Sequence, residues 1–373
     1  MKLMMQREVL LKPLQLLTGV VEKKQTLPIL SNVLITVKDT VVSIIGADLD
    51  IELKISLPIQ NVVNDTAFTV SASKLMDICR ALPEKAKFEL QYNGKNVFIY
   101  CGNTRFTLAT LSAEDFPLVN QDKHEISFFV DKLKLVHLLK ASSFAMAQQD
   151  VRYYLNGMLW EITEKKFKVV STDGHRMAIA LAEMEHSILN EEEHQVNKII
   201  VPRKAILELL RLLDDADDKI TIKIGHQHIQ ILDTKYRFVS KLIDGRFPEY
   251  KKVIPQSGDK KIIFDREKLR NALTRISILS NEQLRAVCFQ FRENYLCLYA
   301  NNVEQEIAEE KLEIDYKKEN FDIVFNVNYL LDVLNVCQTK TVSFFLKDSS
   351  SSILIEEIEG SEKAFFVVMP MCL

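Results

Sequence analysis

The chain has 373 residues, 47% hydrophobic and 27% charged, values that exclude a disordered, collagen-like or coiled-coil chain. Its 48 Lys+Arg against 51 Asp+Glu leave a net charge of -3, which excludes a bulk polycation that grips nucleic acid by charge alone; a nucleic-acid role must find its positive charge locally. At about 150 residues per domain the length predicts two or three domains. Met1 to Leu17 lacks the apolar core of a signal peptide, and no stretch nears about 18 unbroken apolar residues, so a cytoplasmic location is expected.

Six cysteines (Cys79, Cys101, Cys288, Cys297, Cys337, Cys372) are scattered without a Cys-x-x-Cys pair and read as reduced thiols, mostly filling the core. Gly-rich phosphate loops, His-Glu-x-x-His and Gly-x-Ser-x-Gly are missing, and ten glycines give little material for a phosphate cradle. No catalytic site, metal or cofactor is expected.

In chain order, Val9 to Leu17 reads as a strand-to-helix segment, and a later strand ends in an acidic turn at Asp48. Phe68 to Leu82 is a strand, a Ser71 cap and a helix with Leu75, Met76, Ile78, Cys79 and Leu82 on its apolar face. Two strands follow around Gly94, then Arg105-Phe106 and the step Phe116-Pro117. The series then recurs: Phe129 to Leu139, a strand ending at Asp173, Ile199 to Leu213 with Pro202 at the first helical position, strands around Gly225, Arg237-Phe238 and Phe247-Pro248. It recurs again as Phe264 to Leu273, a turn at Asn302, Phe325 to Cys337 and the closing Phe366-Val367-Val368-Met369-Pro370. The aligned positions Val70, Val201 and Phe325 are 131 and 124 residues apart. Three units are therefore expected, at 1–122, 123–253 and 254–373, each of two strand-helix-strand halves. Linkers are expected near Val119 to Glu125 and Lys251 to Lys261.

Short alternating strands with two helices per unit predict an α+β fold of antiparallel sheets with helices on one face. The six helix windows (8–19, 71–82, 131–143, 202–213, 265–277 and 328–337) hold thirteen Lys+Arg against seven Asp+Glu. That +6, against -9 for the remainder, suits contact with phosphates without sequence reading; charge alone is equally what solvated helix faces carry.

Several longer motifs then carry a resemblance over the whole chain. The most specific are Gln149-Asp150-Val151-Arg152-Tyr153-Tyr154-Leu155-Asn156-Gly157-Met158 and Thr172-Asp173-Gly174-His175-Arg176, supported by Leu11-Lys12-Pro13-Leu14, Thr26-Leu27-Pro28-Ile29-Leu30, Val201-Pro202-Arg203-Lys204, Asp244-Gly245-Arg246-Phe247-Pro248, Phe325-Asn326-Val327 and Val367-Val368-Met369-Pro370-Met371. The sequence resembles the bacterial DNA polymerase III beta subunits, the sliding clamps. The resemblance implies three tandem DNA-clamp domains, antiparallel sheets outside and two helices per domain inside, in a ring-shaped head-to-tail homodimer. It implies a non-catalytic processivity factor that encircles double-stranded DNA. Twelve helices of about 10 Å diameter around the hole would leave it roughly 38 Å wide.

The same resemblance implies a hydrophobic pocket for linear peptides of the polymerase III alpha subunit, the clamp loader, other DNA polymerases and repair proteins. Its positions are Arg152, Leu155, Thr172, Gly174, His175, Arg176, Met177, Pro248, Val253, Asn326, Tyr329, Ser352, Val367, Val368, Met369, Pro370 and Met371, with Arg152, His175 and Arg176 expected at the rim. DNA contact is implied for Lys24, Lys74, Arg80, Gln149, Tyr153, Tyr154 and Arg203. The dimer interface is implied at Lys95, Arg105, Phe106 and Leu108 against Ile278, Leu279, Glu304, Glu306, Glu309 and Glu310. The sequence departs from well-known members at Ser73, Gln148, Ile307 and Cys372. Two other readings stand beside this one: a repeat-built peptide-binding scaffold without a DNA role, and a hydrolase using Asp173 and His175.

Overall fold

The computed structural model describes residues 1–21, 27–59, 65–119, 124–184, 197–214, 216–255, 260–358 and 363–371. Lys24 and Cys372 lie outside these residues. Six α-helices form: α1 (Arg7–Val20), α2 (Ala72–Ala81), α3 (Lys132–Ser143), α4 (Arg203–Leu213), α5 (Arg266–Ile276) and α6 (Val327–Val336). Each follows a strand directly, and side chains cap α2, α5 and α6: Ser71 accepts from the Lys74 N–H at 3.5 Å, Asp265 from Lys268 at 3.0 Å and Asn326 from Asn328 at 3.0 Å. In α1 the buried residues Leu10, Pro13, Leu14, Leu17 and Val20 recur at helical spacing. Pro202 differs from its expected place. It is the last residue of the strand Asn197–Pro202, paired with Gly157, and α4 starts one residue later.

The described chain divides into two compact units, one built on Met1–Lys132 and Leu207–Leu242, the other on the rest. The first unit holds a four-stranded sheet, in order Lys2–Gln6, Lys87–Tyr92, Asn96–Cys101, Thr104–Ala109. It also holds an eight-stranded sheet, in order Thr66–Ser71, Asn32–Lys38, Val41–Ala47, Ile51–Pro58, Tyr236–Lys241, His228–Leu232, Lys219–Gly225, His124–Asp131. The second unit holds eight strands in the order Asn197–Pro202, Gly157–Ile162, Lys166–Thr172, Arg176–Glu183, Lys363–Val368, Ile353–Glu357, Thr341–Leu346, Lys260–Asp265. Its four-stranded sheet runs Ile307–Glu313, Tyr295–Asn301, Ala286–Arg292, Phe321–Asn326. All pairings are antiparallel.

Each eight-stranded sheet is thus two four-stranded halves from different sequence repeats. One joint is Ile51–Pro58 against Tyr236–Lys241, the other Arg176–Glu183 against Lys363–Val368. The first joint also carries a buried ion pair: Glu52, 1% exposed, accepts from Arg237 at 2.9 Å and from the Val119 N–H at 2.8 Å. Both expected linkers are shorter than the sequence predicts. The strand His124–Asp131 begins inside the first; a 3-10 turn (Tyr250–Lys252) and the strand Lys260–Asp265 occupy the ends of the second.

The cores are aliphatic and aromatic, with Trp160, Phe68, Phe167, Phe289 and Phe366 among the fully buried side chains. Cys79, Cys297 and Cys337 are buried free thiols, and Cys101 and Cys288 half-buried ones. Burial pushes the Cys79 thiol up to about 12 and Cys297 to about 11, so neither is a ready thiolate near neutral pH.

Candidate functional site

The register of the second unit layers one face of its large sheet. Lys198, Glu161 and Lys168 form one cross-strand row; Ile200, Leu159, Val170, Ile179 and Phe365 the next; Thr172, Met177, Val367 and Leu354 the last, at the sheet's end. The segment 243–254 lies across this face, with Ile243, Phe247, Tyr250 and Ile254 packed on the apolar row together with Leu155. Leu155 and Val367 are 2% exposed and Met177 5%, so they make a floor. Pro248 and Val253 stand exposed beside it.

Val368 does not belong to that floor. Strand side chains alternate, so it faces the opposite side of the sheet in a row with Arg176 and Ile353, fully buried. Arg176 is also not a rim residue. Its side chain is 13% exposed; Nε donates to Asp173 at 3.1 Å, Nη2 to the Phe144 carbonyl at 3.1 Å and Nη1 to Asp332.

A second niche adjoins the floor around His175, whose ring stacks on Tyr329 at 6.3 Å. Residues 369–371 are fastened there: the Met369 N–H donates to the His175 carbonyl at 2.9 Å, and the Met371 N–H to the Val324 carbonyl at 2.8 Å. Met369, Pro370 and Met371 are half-buried, as is Ser352. Asn326 caps α6 and donates to the Leu284 carbonyl at 3.3 Å. Burial is the main reason the Tyr329 hydroxyl is shifted upward, with Asp173 adding to it.

The loop between the niches is a polar turn. Asp173 accepts from the His175 and Arg176 N–H groups at 2.9 and 3.0 Å, and Thr172 Oγ1 donates to the Arg176 carbonyl at 2.7 Å. Gly174 has φ 91°, a left-handed backbone that calls for glycine, and a Cβ there would also come within 3.0 Å of the Arg152 guanidinium. Arg152 is exposed and fastened to Asp150 by Nε at 3.0 Å and Nη2 at 2.8 Å. This hydrogen bonding lowers the Asp150 carboxyl to about 2. Asp173 thus spends its carboxylate on Arg176 and two backbone N–H groups, which leaves the hydrolase reading without its Asp-His relay.

Sequence reasoning missed Tyr250, Leu354, Phe365, Phe144 and Asp332. Asp332 had a signal, because it holds the same repeat position as Asp77 and Glu208.

Models of the DNA polymerase III beta subunit match residues 1–120 (N-terminal domain), 130–249 (central domain) and 251–372 (C-terminal domain). The chain belongs to the DNA polymerase III beta subunit family. It is 47% identical over 366 residues to the beta sliding clamp of Pseudomonas putida, covering 98% of each chain, and 42% identical to that of Escherichia coli K12, covering 100% of each. Among solved structures it matches the Pseudomonas aeruginosa beta subunit bound to griselimycin with TM-score 0.95 at 44% identity, and the Caulobacter crescentus clamp with 0.91 at 32%, covering all of both chains each time.

In this beta subunit the residues implied for DNA contact differ in freedom. Lys74 and Arg80 are exposed on α2, and Gln149 is exposed with φ 57°. Tyr153 is 56% exposed and meets the half-buried Tyr154 edge-on at 5.7 Å. Arg203 is partly engaged, donating to the Met146 carbonyl at 2.9 Å. Of the residues implied for the dimer interface, Ile278 is 75% exposed, Phe106 half-buried and Leu108 only 9% exposed, already packed inward. Lys95, Arg105, Glu304 and Glu306 are exposed, with the Arg105 guanidinium over Phe98 and Tyr100. Glu310 is held within its own chain by Arg275 in a fork of 2.9 and 2.5 Å.

Proposed function

We propose that this beta subunit is a sliding clamp in which two copies close head to tail into a ring around duplex DNA, with clamp domains at residues 1–122, 123–253 and 254–373. Two strand edges that have no partner among the described residues carry the reading. Thr104–Ala109 is the repeat equivalent of Tyr236–Lys241 and Lys363–Val368, and Ile307–Glu313 is the equivalent of their partners Ile51–Pro58 and Arg176–Glu183. The two internal joints share one register: Phe238 faces Leu53, and Phe366 faces Ala178. Carried to the free edges, it sets Phe106 against the partner's Ala308 and Arg105 against the partner's Glu309, a cross-strand charge pair.

Ring closure makes retention topological, so weak screened contacts suffice and a net charge of -3 is compatible with sliding. Lys24, Lys74, Arg80, Gln149, Tyr153, Tyr154 and Arg203 touch the duplex without reading its sequence. The floor and second niche take linear peptides of the polymerase III alpha subunit, the clamp loader, other polymerases and repair proteins; burying a few apolar side chains at about 25 cal/mol per Å² supplies several kcal/mol, suited to exchange. The protein acts as a non-catalytic processivity subunit in the cytoplasm; among the described residues no helix is long and apolar enough to cross a membrane.

Cysteines introduced at Thr107 and Ile307, opposite each other in this register, test the closure. Oxidation is expected to give covalent dimers only when both are present. A chain that stays monomeric at micromolar concentration and does not cross-link contradicts the ring.

A further inference from the structure

We propose that Glu161 is a positioning residue for the peptide groove formed by the floor and second niche, acting through Tyr250; the proposal rests on the reading above that these take linear peptides. Glu161 is 5% exposed near the end of a strand whose other residues include Met158, Leu159, Trp160 and Ile162. A carboxylate there is costly unless it is paired and hydrogen-bonded. Lys198 and Lys168 flank it at 3.3 and 3.5 Å, and the Tyr250 hydroxyl donates to it at 2.7 Å. Burial alone would raise its pKa, but the tyrosine hydroxyl and the two lysines outweigh that and keep the carboxyl below its ordinary value.

Tyr250 is the first residue of the 3-10 turn that shapes the groove's exposed wall. Its N–H donates to the Pro248 carbonyl at 2.7 Å, and its carbonyl accepts from the Val253 N–H at 3.0 Å. One side chain therefore ties both wall residues to the sheet. Phe247 and Ile254 pack on the same face by apolar contact, which is non-directional, and the Ile243 N–H anchors only the start of the segment, to the Ile200 carbonyl at 2.9 Å. The charge-assisted bond to Glu161 is directional and sets the height of the wall. A preformed wall lowers the ordering cost of peptide binding.

The test uses the full-length protein and a fluorescein-labelled peptide of the last twenty residues of its own polymerase III alpha subunit. Tyr250→Phe is expected to weaken binding about tenfold and to speed tryptic cleavage after Lys251 and Lys252, with the fold intact by circular dichroism. Glu161→Leu should match it, and Glu161→Gln, which keeps an acceptor for the hydroxyl, should recover most of the loss. Wild-type affinity in Tyr250→Phe, or weakened binding with unchanged cleavage, overturns the proposal. Met369→Ala separates the two levels: if it leaves peptide binding unchanged, the groove reading itself has failed.

Discussion

Arg176 binds Asp332 across 156 positions of sequence, with its guanidinium 5.2 and 4.6 Å from the ring centroids of Phe144 and Tyr329. It also joins the Asp173 turn to the carbonyl at the end of α3. The residue is a strut under the second niche.

Arg176→Ala removes that strut and leaves two carboxylates without their partner. The expected cost is about 2 kcal/mol, below the 3–5 kcal/mol of a fully buried pair, because Asp332 is 42% exposed. Urea titration should show a lower midpoint, and Arg176→Lys should recover little of it, since lysine lacks the fork. A midpoint unchanged in Arg176→Ala would contradict the role.

Deleting Met369 to Leu373 removes the backbone bonds to His175 and Val324 together with the apolar side chains between the two niches. Loss of polymerase-tail binding by fluorescence anisotropy is expected, with the dimer intact by light scattering. Unchanged peptide affinity would rule out the groove.

Ile278→Ala with Leu279→Ala should give monomers by light scattering. Ile278 is 75% exposed, so its truncation spares the fold and acts on association, where the proposed ring would bury both side chains and draw several kcal/mol from them. A persistent dimer would refute the placement.

The Asp150 carboxyl, held down at about 2 by Arg152, gives a pH prediction with a definite sign. A depressed folded value means that its contribution is complete above the ordinary 3.8 and is lost as pH falls through about 2. Arg152 therefore stays fastened at pH 4. Carboxyl-carbon NMR should show a midpoint near 2 that rises toward 3.8 in Arg152→Ala; an ordinary midpoint in the wild type would contradict the pair.

The helices were legible because their apolar period is local: the window 71–82 becomes α2 at Ala72–Ala81. The joints between repeats were not. Period-two alternation shows which face of a strand is buried, but not that Ile51–Pro58 will pair with a strand starting at Tyr236. The same limit explains Val368, placed beside Val367 in sequence yet on the other face of the sheet. Glu161 went unnoticed in an otherwise apolar run, because its partner Tyr250 is 89 positions away. Arg176 looked like a rim residue because charge predicts exposure, whereas Asp173, Asp332 and two aromatic rings make its burial tolerable.

The most direct test of the clamp is topological. The protein is loaded on nicked circular DNA with a clamp loader and ATP, washed in high salt, and the DNA is then linearised. Retention on the circle and release from linear ends are predicted; salt-sensitive binding that is indifferent to DNA topology would contradict a ring that encircles its substrate.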